Sequence, residues 1–339
     1  MRESFGARFD VPPGYLNTAS IGVPPDFVAD AVGEAVQRWR TGAARAPEFD
    51  PLVTAARQAW ARLVGVDPAN VAIGGSVSQL AGLVAASIPD GTRVVTVAGE
   101  FTSATFPFAA QEKRGVTVRE VAAPHEVDDA DLVVISLVQS ANGAIADLES
   151  LRRNGTRVFV DVTQALGWLP VRLDWADWVV GGSYKWLLSP RGAAWLAVRP
   201  EALHQVVPHQ ANWYSAPDIW EGVYGLPLRL AHDARRLDLS PAWLCHVGAA
   251  AALPWLAGLD ATAVRDHCVS LADATLTGLG LAPRGSAIIS LDLSPDQGER
   301  LAKAGVVSAN RAGRTRLSFH IYNTEDDVDR VVSALASRS

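Results

Sequence analysis

Val158-Phe-Val-Asp-Val-Thr-Gln-Ala-Leu-Gly-Trp168 is followed, a short connection later, by Trp178-Val-Val-Gly-Gly-Ser-Tyr-Lys-Trp-Leu-Leu-Ser-Pro-Arg-Gly192. Each half opens on an apolar run without polar alternation, the pattern of a strand buried on both faces of a parallel sheet. Strand candidates lie outward at Val71–Gly74, Arg93–Ala98, Val116–Val121, Asp131–Val138 and Ala193–Arg199, beside Arg157–Val162 and Trp178–Gly182 themselves, and most share this texture. Between several of these runs lie amphipathic helical stretches. In Val77–Ala86, Val77, Leu80, Ala81 and Val84 fall on one face. Strands and helices in alternation predict a layered α/β domain.

Beyond Arg199 the texture changes. Pro208–Pro241 is rich in Trp, Tyr, Pro and Gly without a sustained period, and reads as an ordered, irregular excursion. A helical pattern resumes at Ala242. Strand patterns follow at Ala287–Leu293, Val306–Ser308 and Thr315–Phe319, with a short helix near Pro295–Ala304. Thr324 can cap a closing helix ahead of Glu325, Asp326 and Asp327. The expected division is a large domain over 1–240 and a small α+β domain over 241–339.

The 339 residues are 49% hydrophobic and 19% charged, enough apolar material for a packed core. A net charge of -6 offers no basic field for nucleic acid or anionic lipid. Cys245 and Cys268 are too few for a disulfide framework, and the N-terminus lacks the apolar run of a signal peptide. No apolar run approaches the length of a membrane span. The expectation is a cytoplasmic protein with no nucleic-acid or membrane partner. The seven histidines show no ligand spacing, so no metal site is expected.

In an open α/β sheet, ligands bind beyond the carboxyl ends of the strands. Asp161 ends one apolar run and Lys185 follows the next by a short turn, so both emerge at one sheet edge. That pair suits a pyridine cofactor: a carboxylate faces the protonated ring nitrogen and an amine condenses with the aldehyde. The apolar context Trp186-Leu187-Leu188 favours the neutral, nucleophilic amine. A buried salt bridge between two loops is the plainer alternative for the same pair.

Asp161, Gln164-Ala-Leu-Gly and Ser183-Tyr-Lys185 together resemble the signature of class V aminotransferases and cysteine desulfurases, a branch of the fold-type-I pyridoxal-phosphate (PLP) enzymes. The resemblance implies a seven-stranded, mostly parallel sheet, a smaller C-terminal domain, a homodimer, PLP as cofactor and an amino-acid substrate. It places Lys185 on the cofactor aldehyde and Asp161 on the ring nitrogen. Ser76, Val77 (through its backbone), Ser78 and Ser183 would hold the phosphate, for exposed amides at a helix N-terminus bind anions well. Phe101, in Gly99-Glu100-Phe101-Thr102-Ser103, would stack on the ring. Ser140 stands where many relatives have a ring-side Asn, and Gln164 would face the phenolic oxygen. Arg316, in Arg314-Thr-Arg316-Leu-Ser-Phe-His-Ile-Tyr-Asn323-Thr, maps onto the arginine that seats the substrate carboxylate. Residues 1–20 would form an arm passing the active-site mouth, with Ala19 and Ser20 as pocket residues.

The reactions open to such a chain are transamination, C–S lyase β-elimination and epimerisation; a non-catalytic PLP-fold binding protein is the alternative from another class. Gly305–Thr315 contains no cysteine where desulfurases carry their nucleophile, which argues against a persulfide mechanism. Cys245 and Cys268 read as small buried hydrophobes on helices. The Gly-Glu-Phe and Lys-Trp-Leu stretches also resemble the C–S lyases of the ergothioneine pathway. Trp213, Tyr214, Trp220 and Tyr224 are candidates for a substrate wall, a core cluster or a dimer interface.

Overall fold

A computed structural model describes residues 1–123, 127 and 129–336, the side chain of 154 excepted. In chain order come β1 (Arg2–Ser4), β2 (Ala7–Phe9), α1 (Asp26–Arg40), α2 (Asp50–Val64), β3 (Val71–Gly74), α3 (Val77–Ala85), β4 (Arg93–Val97) and α4 (Thr102–Ala109). Then follow β5 (Thr117–Val121), β6 (Leu132–Ser136), α5 (Leu148–Asn154), β7 (Arg157–Asp161), β8 (Trp178–Gly182), β9 (Ala194–Val198) and α6 (Pro200–Leu203). The last third holds α7 (Trp243–Gly258), α8 (Ala261–Gly278), β10 (Ile288–Leu291), α9 (Pro295–Lys303), β11 (Ala309–Arg311), β12 (Arg314–Ser318) and α10 (Glu325–Leu335).

The central sheet has seven strands in the order β3-β9-β8-β7-β6-β4-β5. All run parallel except β9, which is antiparallel to β3 and β8. The carboxyl ends of β3, β8, β7, β6 and β4 therefore share one edge, and β9 enters from that same edge. The inner strands are buried on both faces, as their lack of alternation predicts; the edge strand β5 is not, for Thr117, Arg119 and Glu120 are exposed. Val133, Ile135, Val158, Val160 and Val179 join one core with residues of α2 and α7, while Leu132, Val134, Phe159 and Val180 join a second core with residues of α3 and α4. A fully buried strand needs no polar face, so period two is invisible in its sequence and visible in its packing.

The smaller antiparallel sheet runs β10-β12-β11 and has its own core, including Leu271, Leu276, Ile289, Leu317 and Val331. Helix α7, just past the expected boundary at 240, packs on α1 and α2 instead of on this sheet. The strand expected at Val306–Ser308 begins at Ala309. Ala312 and Gly313 sit at φ 48° and 76°, a tight two-residue turn that fixes Arg311 opposite Arg314. Residues before Ala309 serve the N-terminal arm: Val307 bridges Tyr15 in parallel, and Asn17 bridges Ser318.

That arm begins as the hairpin β1–β2. Arg2 ties it to α10 through a bidentate pair with Asp327 at 2.6 and 2.9 Å. Asp327 also accepts from the Gly14 amide at 2.7 Å and from Asn323 at 2.8 Å. No single described helix is long and apolar enough to cross a membrane.

Candidate active site

A cleft opens at the shared strand edge, lined by residues including Ser76, Val77, Ser78, Phe101, Ser140, Asp161, Gln164, Tyr184, Lys185 and Arg191. Five strand ends deliver these side chains. Asp161 closes β7, Lys185 follows β8, Ser140 follows β6, Phe101 follows β4 and Ser76 follows β3. Arg191 precedes β9, which explains how a residue from the antiparallel strand reaches the same edge.

Ser76 caps α3: its hydroxyl accepts from the Gln79 amide at 3.3 Å and lies 3.3 Å from the Ser78 hydroxyl. The first turn of α3 thus brings free amides and two hydroxyls to the cleft, a cup suited to a phosphate. Ser183 is placed differently. Its side chain is buried, donates to the Pro190 carbonyl at 2.6 Å, and does not line the cleft.

Lys185 is 6% exposed, and its amine makes no hydrogen bond or ion pair with any described residue. Burial lowers its pKa to about 8, only partly opposed by Asp161, and the Arg316, Arg311 and Arg191 guanidiniums push the same way. Its Nζ lies 5.3 Å from the centre of the Phe101 ring and 5.5 Å from that of Tyr184. Asp161 is buried, and burial raises its pKa despite the Thr163 amide at 2.8 Å and the nearby lysine. Two buried groups, each disfavoured in its charged form, fit a cofactor that brings its own cation to Asp161 and an aldehyde to Lys185. The chemistry of the donor set therefore fits PLP, with Asp161, Lys185, Phe101 and the Ser76–Ser78 turn as the residues that would hold it.

The loop carrying Lys185 is held by close backbone contacts. A Cβ on Gly22 would stand 2.0 Å from the Lys185 carbonyl oxygen, and one on Gly167 (φ 110°) 2.4 Å from that of Trp186. The glycine of Gln-Ala-Leu-Gly thus lets that turn pack on the residue after the lysine. Leu188 takes φ 51°, a strained choice for a leucine. Gln164 is fixed on three sides: it donates to the Ala19 carbonyl at 3.0 Å and the Ser140 hydroxyl at 3.1 Å, and accepts from the Trp186 indole at 2.8 Å.

Arg316 is 1% exposed. It donates to the Ser140 carbonyl and hydroxyl at 2.6 and 3.1 Å and to the Ser20 hydroxyl at 2.7 Å. Its Nε has no partner, and no described carboxylate pairs with it. Burial first, then the neighbouring Arg311 charge, lowers its pKa to about 10. A guanidinium held only by neutral oxygens is prepared for an anion from outside. Ala19 is buried and presents backbone: its amide donates to the Ser318 hydroxyl at 3.0 Å.

One residue absent from the sequence-level site organises it. Glu100 accepts four hydrogen bonds, from the Phe101 and Ser136 amides at 2.7 Å each, the Ser136 hydroxyl at 2.6 Å and the Gln139 side chain at 2.8 Å. It clamps the ends of β4 and β6, which bear Phe101 and Ser140. Arg191 was likewise unassigned; its guanidinium lies 5.1 Å from the centre of the Tyr184 ring.

The sequence model of the family described as Aminotransferase class-V matches residues 28–290. The chain belongs to that family. As a class V aminotransferase-family protein it is a PLP-dependent enzyme with the fold-type-I architecture expected from its motifs. It is 28% identical over 313 residues to an uncharacterized aminotransferase, YcbU, of Bacillus subtilis (strain 168), covering 84% of this chain and 83% of that protein. It is 26% identical over 383 residues to an isopenicillin N epimerase of Streptomyces clavuligerus, covering 94% and 93%. Among solved structures, the cystine C–S lyase C-DES, in complex with its product cysteine persulfide, superposes with a TM-score of 0.85 at 19% identity, covering 96% and 97%. The apo cysteine desulfurase of Thermococcus onnurineus NA1 superposes with a TM-score of 0.82 at 19% identity, covering 95% and 94%.

Neither cysteine has the setting of a catalytic thiolate. Cys268 is buried on α8. Cys245 is half-buried, not buried as its helical context suggests; it donates to the Arg191 carbonyl at 3.1 Å, and burial pushes its pKa up. Trp213, Tyr214 and Trp220 do not line the cleft. They pack on one another, and Tyr214 and Trp220 donate to the two Asp50 oxygens at 3.1 and 2.9 Å. Within this chain the substrate-wall reading of that cluster fails, because the rings face α2. Among the described residues no group of three or more His, Cys, Asp or Glu is placed to hold a metal.

Proposed function

We propose that this enzyme acts on an α-amino acid by moving the Cα proton with Lys185, in aminotransferase or C–S lyase chemistry. The observation that carries the reading is the buried, unpaired Lys185 amine at pKa about 8, beside Asp161 and flanked by the carboxylate-free Arg316. When bound, PLP supplies the electron sink that makes the substrate Cα–H acidic. The Asp161 carboxylate would hold the proton on the ring nitrogen, and the Ser76–Ser78 turn would anchor the phosphate. Phe101 would cover one face of the ring and exclude water. Arg316 would orient the substrate carboxylate by a bidentate grip, and the neutral Lys185 amine would take the Cα proton and return it.

The settings of the two thiols disfavour sulfur relay through cysteine. A two-base epimerase needs a second base, and Tyr184, whose pKa is raised by burial, is a poor one. The large unit over 1–240 and the small one over 241–339 are proposed, with α7 of the second packed on α1 and α2 of the first. A homodimer is supported by the exposed apolar run Trp220, Tyr224, Leu226 and Leu228, which finds no cover in one chain. Two unpaired cysteines favour a cytoplasmic setting.

The test is a visible spectrum of the purified protein while it is offered a panel of amino acids and S-substituted cysteines. Expected are a yellow protein, borohydride fixation of the cofactor on Lys185, and keto-acid release from part of the panel. A colourless protein that takes up no PLP overturns the reading.

A further inference from the structure

The register of the small sheet places three arginines on one face. Ala309 stands opposite Arg316 and Arg311 opposite Arg314, so Arg311, Arg314 and Arg316 share a side by the two-residue period of the strands. Their fates differ. Arg314 turns toward β10, bonding the Ser290 hydroxyl at 3.1 Å and reaching Asp292 at 3.6 Å. Arg311 and Arg316 instead converge on one atom: the Ser20 hydroxyl lies 3.4 Å from an Arg311 nitrogen and 2.7 Å from an Arg316 nitrogen.

Neither of these two has a carboxylate partner among the described residues. Arg311 has only the Asn310 carbonyl, at 2.7 Å, besides Ser20. Two guanidiniums one hydroxyl apart repel each other, and no described carboxylate pairs with either of them. Arg316 is buried and Arg311 exposed, so one anion would enter deeply while the other remained at the mouth.

We infer that Arg311 forms a second anion subsite, and that the substrate is an amino acid whose side chain bears its own carboxylate or a comparable anion. The α-carboxylate seats on Arg316 and the distal anion on Arg311, with Ser20 holding the two guanidiniums apart in register. This rests on the amino-acid reading of the site given above.

The experiment uses the PLP-loaded protein, titrated calorimetrically with propionate, succinate and glutarate, and by visible absorbance with L-alanine and L-glutamate. A diacid is expected to bind about 10- to 100-fold tighter than its monoacid counterpart, the range for one charge-assisted contact. Arg311→Gln should erase that margin, and Arg311→Lys should keep part of it. No diacid margin in the parent overturns the inference. So does an equal loss for monoacids and diacids in Arg311→Gln, which would mean that both arginines grip a single carboxylate. The absorption spectrum is read first, so a protein without PLP signals failure of the functional reading and not of the subsite alone.

Discussion

Arg57 and Arg316 are both guanidiniums taken out of water, at 6% and 1% exposure, and the protein surrounds them in opposite ways. Arg57 forms a bidentate pair with Asp238 at 3.0 and 2.6 Å and also donates to the Val71 carbonyl. Asp238 in turn accepts from the Ile73 amide at 2.9 Å. Burial pulls the Arg57 pKa down and Asp238 more than restores it; the Arg316 pKa stays depressed, at about 10. The first charge is answered inside the fold and belongs to the scaffold under β3, the strand that leads into the phosphate cup. The second is met, among the described residues, only by neutral oxygens, and that supports its proposed role toward an anionic ligand.

The largest expected effect lies on the ligand side of that contrast. Asp161→Ala should leave the fold intact and lower turnover by roughly 10³-fold or more, the scale of losing a group that controls a proton in the reaction. Near-normal turnover in a PLP-loaded variant would remove Asp161 from its role. On the scaffold side, Asp238→Ala strands Arg57 without its counter-charge and should cost about 3–5 kcal/mol in urea unfolding. If stability held while only substrate affinity fell, the scaffold assignment would be lost.

Arg316→Lys keeps the charge and loses the fork. Amino-acid affinity should drop about 10- to 100-fold, with urea unfolding changed by less than ~1 kcal/mol. A large stability loss instead would make Arg316 a second Arg57. Lys185 gives a pH signature: the neutral amine is the reactive form, so PLP uptake by the apoprotein should quicken as pH rises and level off above about 8. Uptake rates followed by absorbance that keep climbing to pH 10 would contradict the desolvated setting. The smallest effect is expected from replacing Cys245 and Cys268 together by Ala. Product formation should match the parent, with about 1–2 kcal/mol of stability lost at each site. A folded, PLP-loaded but inactive double variant would return a catalytic thiol to the mechanism.

Much of this arrangement is legible in the chain alone because it is local. Six of the seven large-sheet strands are short, mainly apolar runs, the edge strand β5 with Arg119 and Glu120 being the exception, and Asp161 and Lys185 are placed simply by where β7 and β8 stop. Ser76 is legible for the same reason, as the residue between a strand and the helix it caps. Glu100 is not. Two of its three partner residues, Ser136 and Gln139, reach it because β6 pairs with β4 across 35 intervening positions, and a lone Glu after a strand carries no mark of that. Ser183 shows the converse: its position beside Lys185 suggests a ligand contact, while its hydroxyl is committed to Pro190. Aromatic composition alone does not say which surface the Trp213 cluster meets; Tyr214 and Trp220 reach Asp50 on α2, while Tyr224 stays exposed.

The pairing of Arg2 with Asp327 has a consequence for the order in which the site can be made. Ser20 and Ala19 lie on an arm bridged to Val307 and Ser318 and latched at Asp327, so residues made early find their partners about 300 positions later. The strands bearing Asp161, Phe101 and Ser76 need no such wait, since a nascent chain folds its early units as they leave the ribosome. A ribosome-bound chain not yet extended to Asp327 would have a cofactor cleft before it has a mouth to read the substrate.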